Sequence, residues 1–137
     1  MGGYLASQGV ASSSAAGGYR LYLSWLPDST AADASDKAVA VIETPGLPPT
    51  PRGELDTPSI QVLVRSASLI RSSSAYPDAR TKAEGVKTAL HALGNYTSTS
   101  GRYYPGIRAQ QDPFLMHLDE QKRYVIACNY LVWRSRT

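Results

Sequence analysis

Cysteine, histidine and phenylalanine are nearly missing from this chain of 137 residues, which has one Cys, two His and one Phe. A single cysteine excludes an internal disulfide and suits synthesis in a reducing cytosol. Cys128 sits in an apolar run and reads as a small buried side chain. A nucleophilic thiol needs a base and an electropositive setting, and neither His91 nor His117 stands near Cys128 in sequence. Those same three residues cannot supply the usual three or four metal ligands. No run approaches the ~20 apolar residues of a membrane span, and the N-terminal residues lack the charged and apolar regions of a secretion signal. There is no Walker loop, no G-x-G-x-x-G and no Gly-x-Ser-x-Gly elbow. Asp119 and Glu120 are adjacent acids, which in an extended chain point apart, and they read as a solvated turn. The expectation is no enzyme, no cofactor, no metal and no membrane partner.

Charge of one sign is also lacking. Fourteen Lys and Arg against eleven Asp and Glu leave a net charge of +3. That balance tolerates an anionic polymer without demanding one. The cations are scattered, and the nearest approach to a cluster, Arg134 with Arg136, reads as a solvated tail. The length predicts one domain, residues 1–137, able to bury roughly two thirds of its unfolded surface.

What is present begins with residues 56–95. Ile60, Val62 and Val64 alternate with Gln61, Leu63 and Arg65, which predicts a strand over 60–65. Ala79, Ala83, Val86, Leu90 and Leu93 recur at spacings of three and four, which predicts one amphipathic helix over 78–93. Pro77 suits its first position and Gly94 a left-handed stop. The outer face (Arg80, Lys82, Glu84, Lys87, His91) offers no catalytic pair. This segment is built to pack.

Other strands are expected at 19–26, at 38–43 (apolar on both faces, hence central), at 102–110 and at 122–133. In the last of these, Tyr124, Ile126, Cys128 and Tyr130 share one face and Val125, Ala127, Asn129 and Leu131 the other. Pro105 and Gly106 mark the fourth strand as an edge or bulge. Residues 3–10 read as a short helix, 11–18 as a linker, 28–37 as a polar loop, 95–101 as a turn and 115–121 as a loop. The fold class is α+β: a five-stranded, mostly antiparallel sheet with one long helix, and the short N-terminal helix, packed on it.

The segment 44–58 holds Pro45, Gly46, Pro48, Pro49, Pro51, Gly53 and Pro58. It is too proline-rich for a helix or inner strand and long for a loop in a compact domain. Leu47 and Leu55 within it need an apolar contact. Tyrosine is abundant, nine against the single Phe, and suits half-wet interfaces. If the strands carrying Arg102-Tyr103-Tyr104 and Lys122-Arg123-Tyr124 paired side by side, they would form a base-stacking platform. Ordinary half-buried tyrosines are the simpler reading.

Seven pieces in order resemble the small minor capsid or tail terminator family of long-tailed bacteriophages. They are Tyr4-Leu5-Ala6-Ser7-Gln8-Gly9-Val10, Leu23-Ser24-Trp25-Leu26-Pro27-Asp28-Ser29, the run from Ala38 to Pro49, the run from Pro58 to Arg65, the helix pieces 79–84 and 90–95, Gln111-Asp112-Pro113-Phe114, and the strand around Asn129. Tyr104-Pro105-Gly106-Ile107 departs from the smoother strand of that family. The resemblance implies a ring, usually of six copies, that caps the tail tube, stops its growth and meets the head-side connector, or stopper, with genomic DNA passing unspecifically through the lumen. It implies a virion protein at the tail–neck junction, assembled in the host cytoplasm. In such a ring the loop would lie on the next subunit through Leu47, Pro48, Pro49 and Leu55, with Arg52, Glu54 and Asp56 at the rim. A head-completion or neck adaptor ring, and a small nucleic-acid-binding module, are the competing expectations.

Overall fold

The computed structural model describes residues 20–23, 37–46, 55–68, 73–91, 93–98, 101–120 and 122–135. The strands are β1 (Arg20–Leu23), β2 (Ala38–Thr44), β3 (Leu55–Asp56), β4 (Ser59–Ser68), β5 (Gly94–Thr97), β6 (Tyr103–Ala109), β7 (Phe114–Leu118) and β8 (Arg123–Ser135), and the helix α1 is Ala75–Leu90. Seven strands form the main sheet, in the order β1-β2-β4-β8-β6-β5, with β7 on β8 beside β6. The two-residue β3 pairs separately with the end of β8. All pairs are antiparallel except β1 with β2. The architecture is the expected α+β, but with seven strands in the sheet where five were expected. The N-terminal helix of residues 3–10 lies outside the described residues.

The period-two pattern of β2, β4 and β8 sets two faces. Register places Val39 beside Val64 and Val64 beside Ile126, and Val62 beside Cys128. These rows, with Ile60, Tyr130, Val132 and Ile107, meet Ala79, Ala83, Val86 and Leu90 of α1. Fully burying each large aliphatic side chain is worth ~1.5–3 kcal/mol, so this seam dominates the fold. The opposite face carries Ala40, Leu63, Val125 and Ala127. β2 lies between β1 and β4, as its two apolar faces predicted.

The helix starts earlier and stops earlier than its periodicity suggested. Ser74 occupies the N-cap position, its hydroxyl bonded to the Asp78 carboxylate, and Ala75 is already buried. Pro77 is therefore the third helical residue, still within the turn whose N–H groups have no helical acceptor, where proline costs no ladder bond. At the other end His91 is extended (φ −65°, ψ 131°) and its N–H donates to Lys87 O at 2.7 Å. The His91 Nδ1 accepts the Ala109 N–H at 3.0 Å, which ties the turn to β6. Gly94 is not the left-handed stop. It opens β5, opposite Gly106.

Two further expectations give way. Residues 95–97, expected at the start of a turn, form β5 against β6 together with Gly94. Residues 115–118, expected at the start of a loop, form β7 against β8 together with Phe114. β6 is an inner strand at the level of Gly106, with β5 on one side and β8 on the other. Its proline is accommodated where pairing changes hands: β5 pairs residues 103–106, whereas β8 pairs residues 106–109. Register with β8 does shift, but in β7, between Leu115 and His117, and in β4, between Arg65 and Ser68. There the buried Ser66 hydroxyl accepts the Tyr124 N–H at 2.8 Å and donates to Ala67 O, satisfying backbone that the ladder leaves unpaired.

Candidate assembly surface

Chemistry-bearing side chains are spent on structure. Asp119 accepts the Arg123 backbone N–H at 2.9 Å and its Nε–H at 2.8 Å. The Lys122 N–H returns to Asp119 O, with Lys122 in the left-handed region at φ 61°. Asp119 thus closes the β7–β8 hairpin and neutralises a guanidinium that is almost wholly buried. Cys128 is buried, its sulfur 3.2 Å from Gln111 O, and burial pushes its thiol above the ordinary value. Among the described residues no group of three His, Cys, Asp or Glu side chains could hold a metal, and no helix is long and apolar enough to cross a membrane.

The tyrosine platform is not brought together. β6 meets β8 through residues 106–109 and 130–133, so Arg102-Tyr103-Tyr104 and Lys122-Arg123-Tyr124 lie towards opposite ends of β8. Tyr124 packs edge-on against Tyr76 at 5.1 Å, and Tyr96 stacks obliquely with Tyr104 at 6.1 Å. Arg108 lies over Trp133, 5.7 Å from the ring centre. These are pairwise contacts, not a row of free rings.

Of the loop residues singled out in the sequence, Leu47, Pro48, Pro49 and Arg52 lie outside the described residues. Leu55 and Asp56 form β3, opposite Ser135 and Arg134 of β8. The Leu55 side chain is exposed and Asp56 half-buried. The two feet of the loop touch: a Cβ on Gly46 would fall 2.2 Å from Thr57 O and 2.7 Å from Pro58 Cα. Pro58 O in turn accepts the Val132 N–H at 2.9 Å. The loop therefore springs from a closed neck anchored to β8.

A second apolar surface escaped the sequence reading. All five residues of β7 are exposed, and four of them are large and apolar: Phe114, Leu115, Met116 and Leu118. The signal was an apolar run between Pro113 and Asp119, interrupted only by His117 and without the alternation that marks a half-buried strand. The segment before β7 is tied down firmly. Arg80 donates to Pro113 O, Lys87 pairs with Asp112, Gln110 N–H donates to Asn129 O, and Cys128 reaches Gln111 O. The Lys87 ammonium holds the Asp112 carboxyl below its ordinary value. The strand is thus anchored at its start while four large apolar side chains stay exposed along it.

The bacteriophage tail terminator protein family matches residues 4–133, nearly the whole chain, and the chain belongs to that family. It is a structural family of phage tails. No curated protein matches the chain.

Proposed function

We propose that the chain forms a ring, six copies being what the family resemblance implies, that caps the finished tail tube, halts its polymerisation and joins it to the head-side connector. The family match over residues 4–133 carries this reading. The net charge of +3 supports it further, since DNA passing through a lumen must not be gripped; each phosphate contact would add salt-dependent affinity. The loop over 44–58 packs on the neighbouring subunit, with Leu47, Pro48, Pro49 and Leu55 as apolar anchors and Arg52, Glu54 and Asp56 at the rim. The ring sits at the tail–neck junction of the virion and assembles in the host cytoplasm.

The test is tail length by electron microscopy in particles made without this product. Overlong, uneven tubes unjoined to heads are expected. Tubes of normal length that fail to join heads would instead indicate a neck or head-completion ring, and normal joined particles would overturn both. Alanines at Leu47 and Leu55 should abolish the ring; an intact ring would remove the loop from the interface.

A further inference from the structure

We infer that the connection from β1 to β2, residues 24–36, docks across the sheet face opposite α1 and seals that face within one subunit. The inference does not depend on the ring reading.

Burial points to a cover. Register lines up Ala40 with Leu63 and Ala127, and Ala38 with Arg65 and Val125, on the side away from α1. Ala38, Ala40 and Ala127 are 0% exposed, Arg65 2%, Val125 3% and Leu63 9%. A sheet face left to solvent is wet and polar. A buried face needs a second layer, and the one helix among the described residues packs on the other side.

The hand of the fold selects the segment. Val132, whose side chain meets α1, donates its N–H to Pro58 O, towards β4. Asn129, on the other face, accepts the Gln110 N–H, on the β6 side. In a strand of L-residues running upwards, a residue whose side chain points at the viewer turns its N–H and C=O to the right. Viewed from α1 with β8 running up, β4 therefore stands to the right of β8, β2 beyond it and β1 last. β2 and β1 both run upwards. The chain passes from the top of β1 to the foot of β2, one place to the left. Connections between parallel strands are right-handed in about 98% of cases. Seen from α1, a step to the left is right-handed only when the connection passes behind the sheet. Such a crossover takes about a dozen residues or more, and residues 24–37 supply them.

Reach and charge agree. The row of Ala38, Arg65 and Val125 lies about 25 Å from the neck at Gly46, at ~3.3 Å per residue. Residues 47–54 must leave that neck and return, so they extend at most about 16 Å. Residues 1–19 carry no charged side chain, whereas residues 24–36 carry Asp28, Asp33 and Asp36 and no Lys or Arg. The face they would meet holds the buried Arg65 and, among its described residues, no carboxylate. A buried guanidinium is stable only when its charge is compensated. Ala38 is the register partner of Arg65, so the connection rejoins the sheet beside that guanidinium, with Asp36 two residues before Ala38. The face is thereby taken within the free subunit and is not a surface for another chain.

The test is photo-crosslinking in the full chain, with a benzophenone side chain placed at Gln61, which is half-buried on this face. Peptide mapping should find adducts within one chain to residues 24–36, and none to that segment from the same probe at Thr88 on the outer side of α1. A second measurement follows alkylation of Ile42→Cys, also half-buried on this face, with Cys128 counted separately by peptide. Exchanging residues 28–35 for a Gly-Ser linker of equal length should speed that labelling at least tenfold, whereas removing residues 1–18 should leave it unchanged. The crosslink reads the intact connection, so it decides even where the exchanged chain fails to fold. Adducts to residues 1–19, or faster labelling on removing 1–18 and not on the exchange, would give the face to the N-terminal residues instead. A crosslinked dimer on a denaturing gel would give it to a second copy, and no adduct to 24–36 would likewise overturn the inference.

Discussion

The same substitution, glycine to alanine, should have opposite effects at Gly46 and Gly85. At Gly46 the added Cβ would lie 2.2 Å from Thr57 O, 2.7 Å from Pro58 Cα and 2.9 Å from Pro58 C. All three neighbours are backbone, so no side chain can swing away. Relief requires moving residues 57–58, and Pro58 O is held by the Val132 N–H at 2.9 Å in the strand on which most of the sheet pairs. Overpacking of this kind costs about 1–3 kcal/mol, and a weakened backbone hydrogen bond adds about 1 kcal/mol. Gly85, by contrast, lies exposed on α1, where a Cβ meets nothing within 4 Å. Alanine there removes a glycine penalty of about 0.5–1 kcal/mol. At roughly 4 °C per kcal/mol for a domain of this size, Gly46→Ala should lower the melting temperature by roughly 8–15 °C and Gly85→Ala should raise it by roughly 2–4 °C. Thermal and urea unfolding followed by circular dichroism measure both. A neutral Gly46→Ala would refute the closed neck, because the loop feet would then have room they do not have in this structure.

Removing the Asp119 carboxylate takes its ion-pair partner from the buried Arg123 guanidinium, so Asp119→Ala should destabilise by about 3–5 kcal/mol, read as a lower urea midpoint at unchanged slope. Tyr130 is wholly buried and its hydroxyl makes no hydrogen bond of ordinary geometry. Tyr130→Phe should therefore be neutral or stabilising by about 1 kcal/mol. Burial, reinforced by the neighbouring Cys128, raises the Tyr130 hydroxyl far above its ordinary value. The stability it contributes is thus complete below about pH 10, the unfolded value, and is lost as pH rises beyond it. The Phe variant should lack that part of the alkaline decline in a pH series of unfolding curves. Cys128 should resist alkylation near pH 8 in the folded protein and react at the rate of a free thiol in urea, since burial raises its thiol. Fast labelling of the folded chain would mean that the 110–113 segment opens.

Much of the fold was legible because its central elements obey one period each. The two faces of β4 and β8, the central place of β2, and the helix face of Ala79, Ala83, Val86 and Leu90 follow directly from alternation and three-four spacing. The misses share a cause: local signals yielded to long-range pairing. Gly94 and Asn95 carry turn chemistry, and Asn95 does adopt φ 55°, yet β6 draws the segment into a strand. Leu93 continues the helical spacing, but the helix has ended, and Leu93 reaches the same core from the connection to β5. β7 was hidden because a strand exposed on both faces has no alternation to read. The tyrosine platform depended on a register that composition cannot supply, and the true register separates its halves. The close approach of Gly46 to Thr57 was not visible in the sequence, since the two meet only after β2 and β4 pair.

β8 also dictates the order in which the chain can take shape. Thirteen residues long, it is the shared neighbour of β3, β4, β6 and β7 and follows them all in the sequence. As the chain leaves the ribosome at about 5–20 residues per second, β2 with β4 and β5 with β6 can form as separate hairpins, but no strand joins them into one sheet. The inner edge of β4 and the whole of β7 stay unpaired until residues 123–135 emerge. Sheets completed by such distant pairings fold slowly, and this one acquires its outward-facing β7 edge only in its final step. A nascent chain therefore has no finished β7 surface until translation has passed β8.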